Sequence, residues 1–128
     1  MTAMATRPND FRVRFWGVRG SYPTTGPNTS DIGGDTSCVE VNVAGQRLIF
    51  DAGTGIIPLG KEICSRASTD PIAYVFLSHT HIDHLMGLYF FEPLLTFGAR
   101  SFIYGPGRSS GALWRTLQQL AHSNLFPV

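Results

Sequence analysis

Three of the chain's 4 histidines fall between positions 79 and 84, in the run His79-Thr80-His81-Ile82-Asp83-His84. Imidazole and carboxylate are ligands that zinc and other divalent transition metals accept. In extended backbone, residues two apart point the same way, so His79 and His81 can grip one ion. A turn into helix after them swings Asp83 and His84 towards a second position. Four such groups within six residues can therefore seed two adjacent metals. The plainer alternative is a polar turn with incidental histidines. Placement directly after an apolar strand weighs against it.

That strand is read from residues 72–77, a continuous apolar run bounded by Pro71 and Ser78. Ligand sites in α/β sheets commonly lie at the C-terminal ends of strands. Residues 37–43 and 47–51 predict two strands around Ala44-Gly45-Gln46, a hairpin signal. The turn Asp51-Ala52-Gly53-Thr54-Gly55 follows, then a helix over about 56–65 with Pro58 in its first turn. Residues 11–18 put Phe11, Val13 and Phe15 on one face and Arg12 and Arg14 on the other, the alternation of a half-buried strand. Residues 20–35, rich in Gly, Pro, Thr, Asn and Asp, predict a long loop, and such loops are often functional. Residues 84 to about 91 predict a helix disturbed at Pro93. Residues 101–104 predict a short strand stopped by Gly105-Pro106-Gly107. Residues 109–121 predict a last helix, with Leu113, Leu117, Leu120 and Ala121 at helical spacing. The mixture is α/β, with no internal repeat or interdomain linker. Residues 1–10 read as a loose tail and 11–128 as one domain.

The bulk numbers fit that picture. A chain of 128 residues, 43% hydrophobic and 15% charged, is long enough for one modest core. A formal charge of +1 gives no reason to expect nucleic acid or an anionic membrane as partner, although it does not exclude RNA. No window approaches the roughly 18 apolar residues of a membrane helix. The polar N-terminus, with Pro8, lacks the apolar core of a signal peptide, so the expected location is cytoplasmic. Cys38 and Cys64, the only cysteines, read as buried free thiols in a reducing compartment. Asn28-Thr29-Ser30 fits a glycosylation sequon but reads as a loop coincidence.

The segment Ser78-His79-Thr80-His81-Ile82-Asp83-His84-Leu85-Met86-Gly87 resembles the signature of the metallo-β-lactamase superfamily. Phe15-Trp16-Gly17-Val18-Arg19-Gly20-Ser21, Gly33-Gly34-Asp35-Thr36-Ser37-Cys38 and Phe50-Asp51-Ala52-Gly53-Thr54-Gly55 are similar to one branch of it, the phosphoribosyl cyclic phosphodiesterases and, more distantly, the tRNA 3′-processing endonucleases (tRNase Z). The resemblance implies an αβ/βα sandwich, of which this chain supplies the first half: a mixed sheet with flanking helices. It implies that His79 and His81 bind one metal and that Asp83 and His84 bind the second. Asp83 would also orient the nucleophile in catalysis. Asp51 would support a metal-binding histidine from behind, fixing its tautomer. The ions would be two divalent cations, zinc first, with manganese or iron also suited to these ligands. Arg19 reads as a brace of the long loop before a substrate contact.

The implied chemistry is hydrolysis of a phosphodiester, in a small-molecule, nucleotide-like or RNA substrate, by a metal-bound hydroxide. Thioester or lactam hydrolysis is the alternative within enzymes. The resemblance also implies ligands that nothing after His84 matches, and His122 comes too soon to be one. Each metal is left with about two protein ligands where catalytic zinc usually has three. The chain therefore reads as a truncated product or fragment, inactive alone and binding metal weakly or not at all. Its apolar sheet face would lack a partner, which favours association between copies.

Overall fold

The computed structural model describes residues 11–66, 71–107 and 111–121. The expected tail, His122 and the last residues lie outside them. Five strands form one mixed sheet in chain order: β1 (Phe11–Gly17), β2 (Cys38–Val43), β3 (Gln46–Phe50), β4 (Ile72–Phe76) and β5 (Arg100–Tyr104). The pairs β1–β2 and β2–β3 are antiparallel; β3–β4 and β4–β5 are parallel. Val43 pairs with Gln46, so only Ala44 and Gly45 make the hairpin turn. Both have positive φ, 48° and 77°, the pattern of a type I′ turn that matches strand twist.

Between β3 and β4 runs α1 (Ile56–Arg66), and between β4 and β5 lies α2 (Glu92–Leu95). A last helix, α3 (Ala112–Leu120), follows β5. Ile56, Leu59, Gly60 and Ile63 form the buried stripe of α1 at the 3.6-residue period. They pack with Ile49, Ala73 and Val75 from β3 and β4, and with Phe91, into the core. Leu113, Leu117 and Leu120 of α3 close over its rim, half-buried. Among the described residues, no helix is long and apolar enough to cross a membrane.

Three expectations need correction. Residues 84 to 91 are not one helix. They form two 3-10 turns, Ile82–His84 and Met86–Phe90, and Pro93 falls in the first turn of α2, where its missing N–H breaks no bond. Cys64 is half-buried, its Sγ 3.6 Å from the Thr96 hydroxyl, whereas Cys38 is fully buried; both are free thiols. Finally, β1 turns its apolar side outward: Phe11 and Phe15 are 69% and 67% exposed. Arg14 on the other side reaches Glu62 of α1 at 3.0 Å. Alternation predicted the two faces correctly but not which one the helices cover.

Candidate metal centre

The site begins where β3 ends. Asp51 has φ 63°, in the left-handed region that aspartate tolerates better than most residues. Its N–H still bonds the Phe76 carbonyl at 2.9 Å, extending the β3–β4 ladder by one residue. The left-handed kink then turns the chain into Ala52 and Gly53, which dock on the histidine segment. Ala52 N–H donates to the His84 carbonyl at 2.8 Å, and Gly87 N–H donates to the Ala52 carbonyl at 2.9 Å. A side chain at Gly53 would overlap the Asp83 carbonyl and the Thr36 hydroxyl, so this approach requires glycine.

The buried Asp51 carboxylate is tied to the end of β4. Ser78 N–H donates to Oδ1 at 2.7 Å, and the Ser78 hydroxyl stands 2.8 Å from Oδ1 and 2.9 Å from Oδ2. The Ser37 hydroxyl adds a long bond at 3.4 Å. Ser78 Oγ also lies 2.9 Å from Nδ1 of His79. A hydroxyl has one proton to give, and an ionised carboxylate can only accept it. His79 Nδ1 is therefore the donor to Ser78, and Nε2 keeps the free lone pair that a metal requires.

The imidazoles gather around His79. Its ring centroid is 4.5 Å from that of His81 and 4.1 Å from that of His84. His81 sits in extended backbone, and the 3-10 turn after it brings His84 back. The rings thus form one cluster with His79 central. His84 Nδ1 lies 2.9 Å from Asp51 Oδ2, yet the ring N–H is not aligned with that oxygen, so the nitrogen is buried without a hydrogen bond. His84 Nε2 is 3.5 Å from Asp83 Oδ2. Asp83 Oδ2 also accepts the backbone N–H of Ser21 at 2.9 Å. That N–H, with the nearby His84 and His81, holds the Asp83 carboxyl below its ordinary pKa.

The long loop is fastened to the same turn. Thr36 and Thr54 bond reciprocally: Thr36 N–H to the Thr54 hydroxyl at 2.9 Å, Thr54 N–H to the Thr36 hydroxyl at 2.8 Å. Arg19 donates to the Tyr22 carbonyl at 2.9 Å and lies over the Tyr22 ring, bracing its own loop. Ser78, which in the sequence only bounds the apolar run, joins Asp51 to His79; a hydroxyl immediately before the first histidine is its one sequence signal. The donor chemistry suits a divalent transition metal: three imidazoles, one of them with an unpaired buried nitrogen, and Asp83. Among the described residues, no three His, Cys, Asp or Glu side chains are disposed to enclose an ion by themselves.

The ribonuclease Z of Haloarcula marismortui is 30% identical over 120 residues, covering 91% of this chain and 35% of that protein. The ribonuclease Z of Methanosarcina mazei is 34% identical over 100 residues, covering 74% of this chain and 29% of its own. Over most of its length the chain is similar to these ribonuclease Z proteins. It spans about a third of the length of the ribonuclease Z relatives it matches. No family model matches. A solved structure from Thermotoga maritima described as a metallo-beta-lactamase aligns with 64% of this chain and 40% of its own, at 19% identity and a TM-score of 0.39.

Proposed function

We propose that this chain carries the metal-binding motif of a hydrolase that cleaves phosphodiester bonds, with RNA as the substrate class. The carrying observation is the cluster of His79, His81, His84 and Asp83 at the end of β4, backed by Asp51. The ribonuclease Z relatives support the choice of phosphodiester over thioester or lactam. His79 and His81 hold the first of two divalent ions, zinc before manganese or iron, and Asp83 and His84 hold the second. Such ions, when bound, act as Lewis acids and lower the pKa of a water. Asp51 positions both sides of the cluster, through Ser78 to His79 and by direct approach to His84. Asp83, kept ionised by Ser21, is suited to receive a proton or orient the attacking water.

The test is metal-dependent hydrolysis of bis-p-nitrophenyl phosphate and of an RNA oligonucleotide by the whole protein that contains this chain, against its His81→Ala variant. Turnover lost in the variant supports the reading; no turnover of either ester by the whole protein overturns it. A second reading concerns the 128 residues alone. With no three donors enclosing a point among the described residues, they bind metal weakly and do not turn over. Hydrolysis by the isolated chain refutes that.

A further inference from the structure

Among the described residues, three other than glycine have positive φ. Ala44 serves the hairpin and Asp51 the kink after β3; the third is Ser21, at φ 73°. Across it, the Tyr22 N–H donates to the Gly20 carbonyl at 3.0 Å. That bond and that φ define a γ-turn of the left-handed kind, the rare and strained form. Gly20, which could carry positive φ without steric cost, stands one position earlier and does not take it. Backbone held in sparsely populated conformations collects at functional sites.

The turn points one donor at the histidine cluster. Ser21 N–H meets Oδ2 of Asp83 at 2.9 Å, from 62 residues away in sequence. The same oxygen stands 3.5 Å from Nε2 of His84. Two donors at zinc's usual bond lengths in a tetrahedral shell are about 3.4 Å apart. Oδ2 and Nε2 thus already have the spacing of two ligands on one ion. The turn is itself braced. Nε of Arg19 donates to the Tyr22 carbonyl at 2.9 Å, spanning the bend, and Arg19 N–H donates to the Asp35 carbonyl at 3.0 Å. Thr24 N–H donates to the Gly34 carbonyl at 3.0 Å, where a Cβ on Gly34 would overlap the Thr24 carbonyl. The loop is tied at Arg19 and again at Thr24, with the γ-turn between the two ties.

We propose that Ser21 is a positioning residue for the second metal. Its left-handed turn aims a backbone N–H at Oδ2 and holds the Asp83 carboxylate at chelating distance from His84 before an ion arrives. This rests on the reading of Asp83 and His84 as partners on one ion. A carboxylate that must be ordered on binding costs affinity; one ordered beforehand does not. The backbone carries the role, and two substitutions separate it from the side chain. Valine is β-branched and is excluded from φ 73°, so Ser21→Val swings the N–H off Oδ2. Glycine accepts that φ and keeps the N–H, so Ser21→Gly removes only the hydroxymethyl group.

The test uses the whole protein that contains this chain. Zinc affinity is read by competition with a chromophoric chelator, and the fold by circular dichroism. Ser21→Val is expected to lose about 10–100-fold in zinc affinity. Ser21→Gly is expected to rescue most of that loss. A loop with only a structural role predicts a lower melting temperature for Ser21→Val with zinc affinity unchanged. That result overturns the proposal, as does Ser21→Gly falling as far as Ser21→Val. A second readout needs neither Ser21→Val, nor metal, nor substrate. In the metal-free protein, Asp83→Ala is expected to speed hydrogen exchange at the Ser21 amide by about tenfold or more, the worth of a hydrogen bond to a charged group. The Thr24 amide, bonded to Gly34, is expected to keep its rate. No change at Ser21, or equal release of both amides, overturns the proposal. Affinity and exchange do not depend on which ester is cleaved, so they can hold where the phosphodiester reading fails and fail where it holds.

Discussion

The hydroxyl of Ser78 stands 2.8 Å from Oδ1 of Asp51 while its oxygen lies 2.9 Å from Nδ1 of His79. Serine is thus the link through which a buried carboxylate sets the tautomer of a histidine it does not touch. Partners of this kind typically change metal affinity by about 10–100-fold. Ser78→Ala is expected to weaken zinc binding by that factor with an unchanged circular dichroism spectrum, and Ser78→Thr to restore it. Competition against a chromophoric chelator measures the ratio. Equal affinity for Ser78→Ala and wild type would reduce Ser78 to a turn residue.

How much of this could be read from sequence depends on how local each relationship is. The four metal-type residues lie within one turn of chain, and their types are visible without any fold. Asp51 ends a predicted strand before a glycine turn, but its supporting role came only from the family resemblance, because position alone fits a turn residue equally well. The reciprocal bonds between Thr36 and Thr54 bridge 18 residues, and those between Ser78 and Asp51 bridge 27; no periodicity encodes such pairs. The strand pattern gave β1 its two faces. It could not tell which face α1 covers, because Phe11 and Phe15 look the same in sequence whether buried or bare. The 3-10 turns over residues 82–90 were hidden for another reason. Their hydrogen bonds are set by docking on Ala52 and Gly53, a tertiary contact that overrides local helix preference.

Asp51 joins a backbone demand to a side-chain one, and two substitutions separate them. Asparagine tolerates positive φ and keeps an oxygen for Ser78, so Asp51→Asn is expected to cost about 1 kcal/mol. Asp51→Ala puts a Cβ-bearing residue without local hydrogen bonding at φ 63° and leaves Ser78 without its acceptor. The two costs together come to about 2–4 kcal/mol. Urea unfolding checks the order; an alanine variant as stable as the asparagine one contradicts it.

Cys38 is fully buried, and its thiol pKa is pushed far up, first by that burial and then by the negative charges of Glu40, Asp51 and Asp35. The thiolate is the reactive form, so Cys38 is inert in the fold. Iodoacetamide at mildly alkaline pH is expected to label half-buried Cys64 and spare Cys38, with both labelled in urea. Mass spectrometry of the digested chain reads the two sites separately. Labelling of Cys38 in the folded chain at the rate of Cys64 would show that the β2 side of the core opens.

Glu40 carries the pH dependence of the sheet's helix side. Its carboxylate is buried, and burial alone raises its pKa. Hydrogen bonds from Asn42 and Trp16 and the charge of Arg47 outweigh that and bring the pKa below the usual 4.5. Trp16 Nε1 lies 2.9 Å from one carboxylate oxygen and Arg47 Nε 2.8 Å from the other. A group whose pKa falls on folding binds fewer protons folded than unfolded. Its contribution is therefore complete above the unfolded glutamate pKa and fades as pH drops through the folded value. Glu40→Gln keeps the shape but exchanges charge-assisted bonds for neutral ones, a loss of about 1–3 kcal/mol at neutral pH. The gap between wild type and variant in urea unfolding is expected to be constant above about pH 5.5 and to narrow below 4.5. A gap that widens on acidification would mean that Glu40 folds as the neutral acid, with burial prevailing over Trp16 and Arg47.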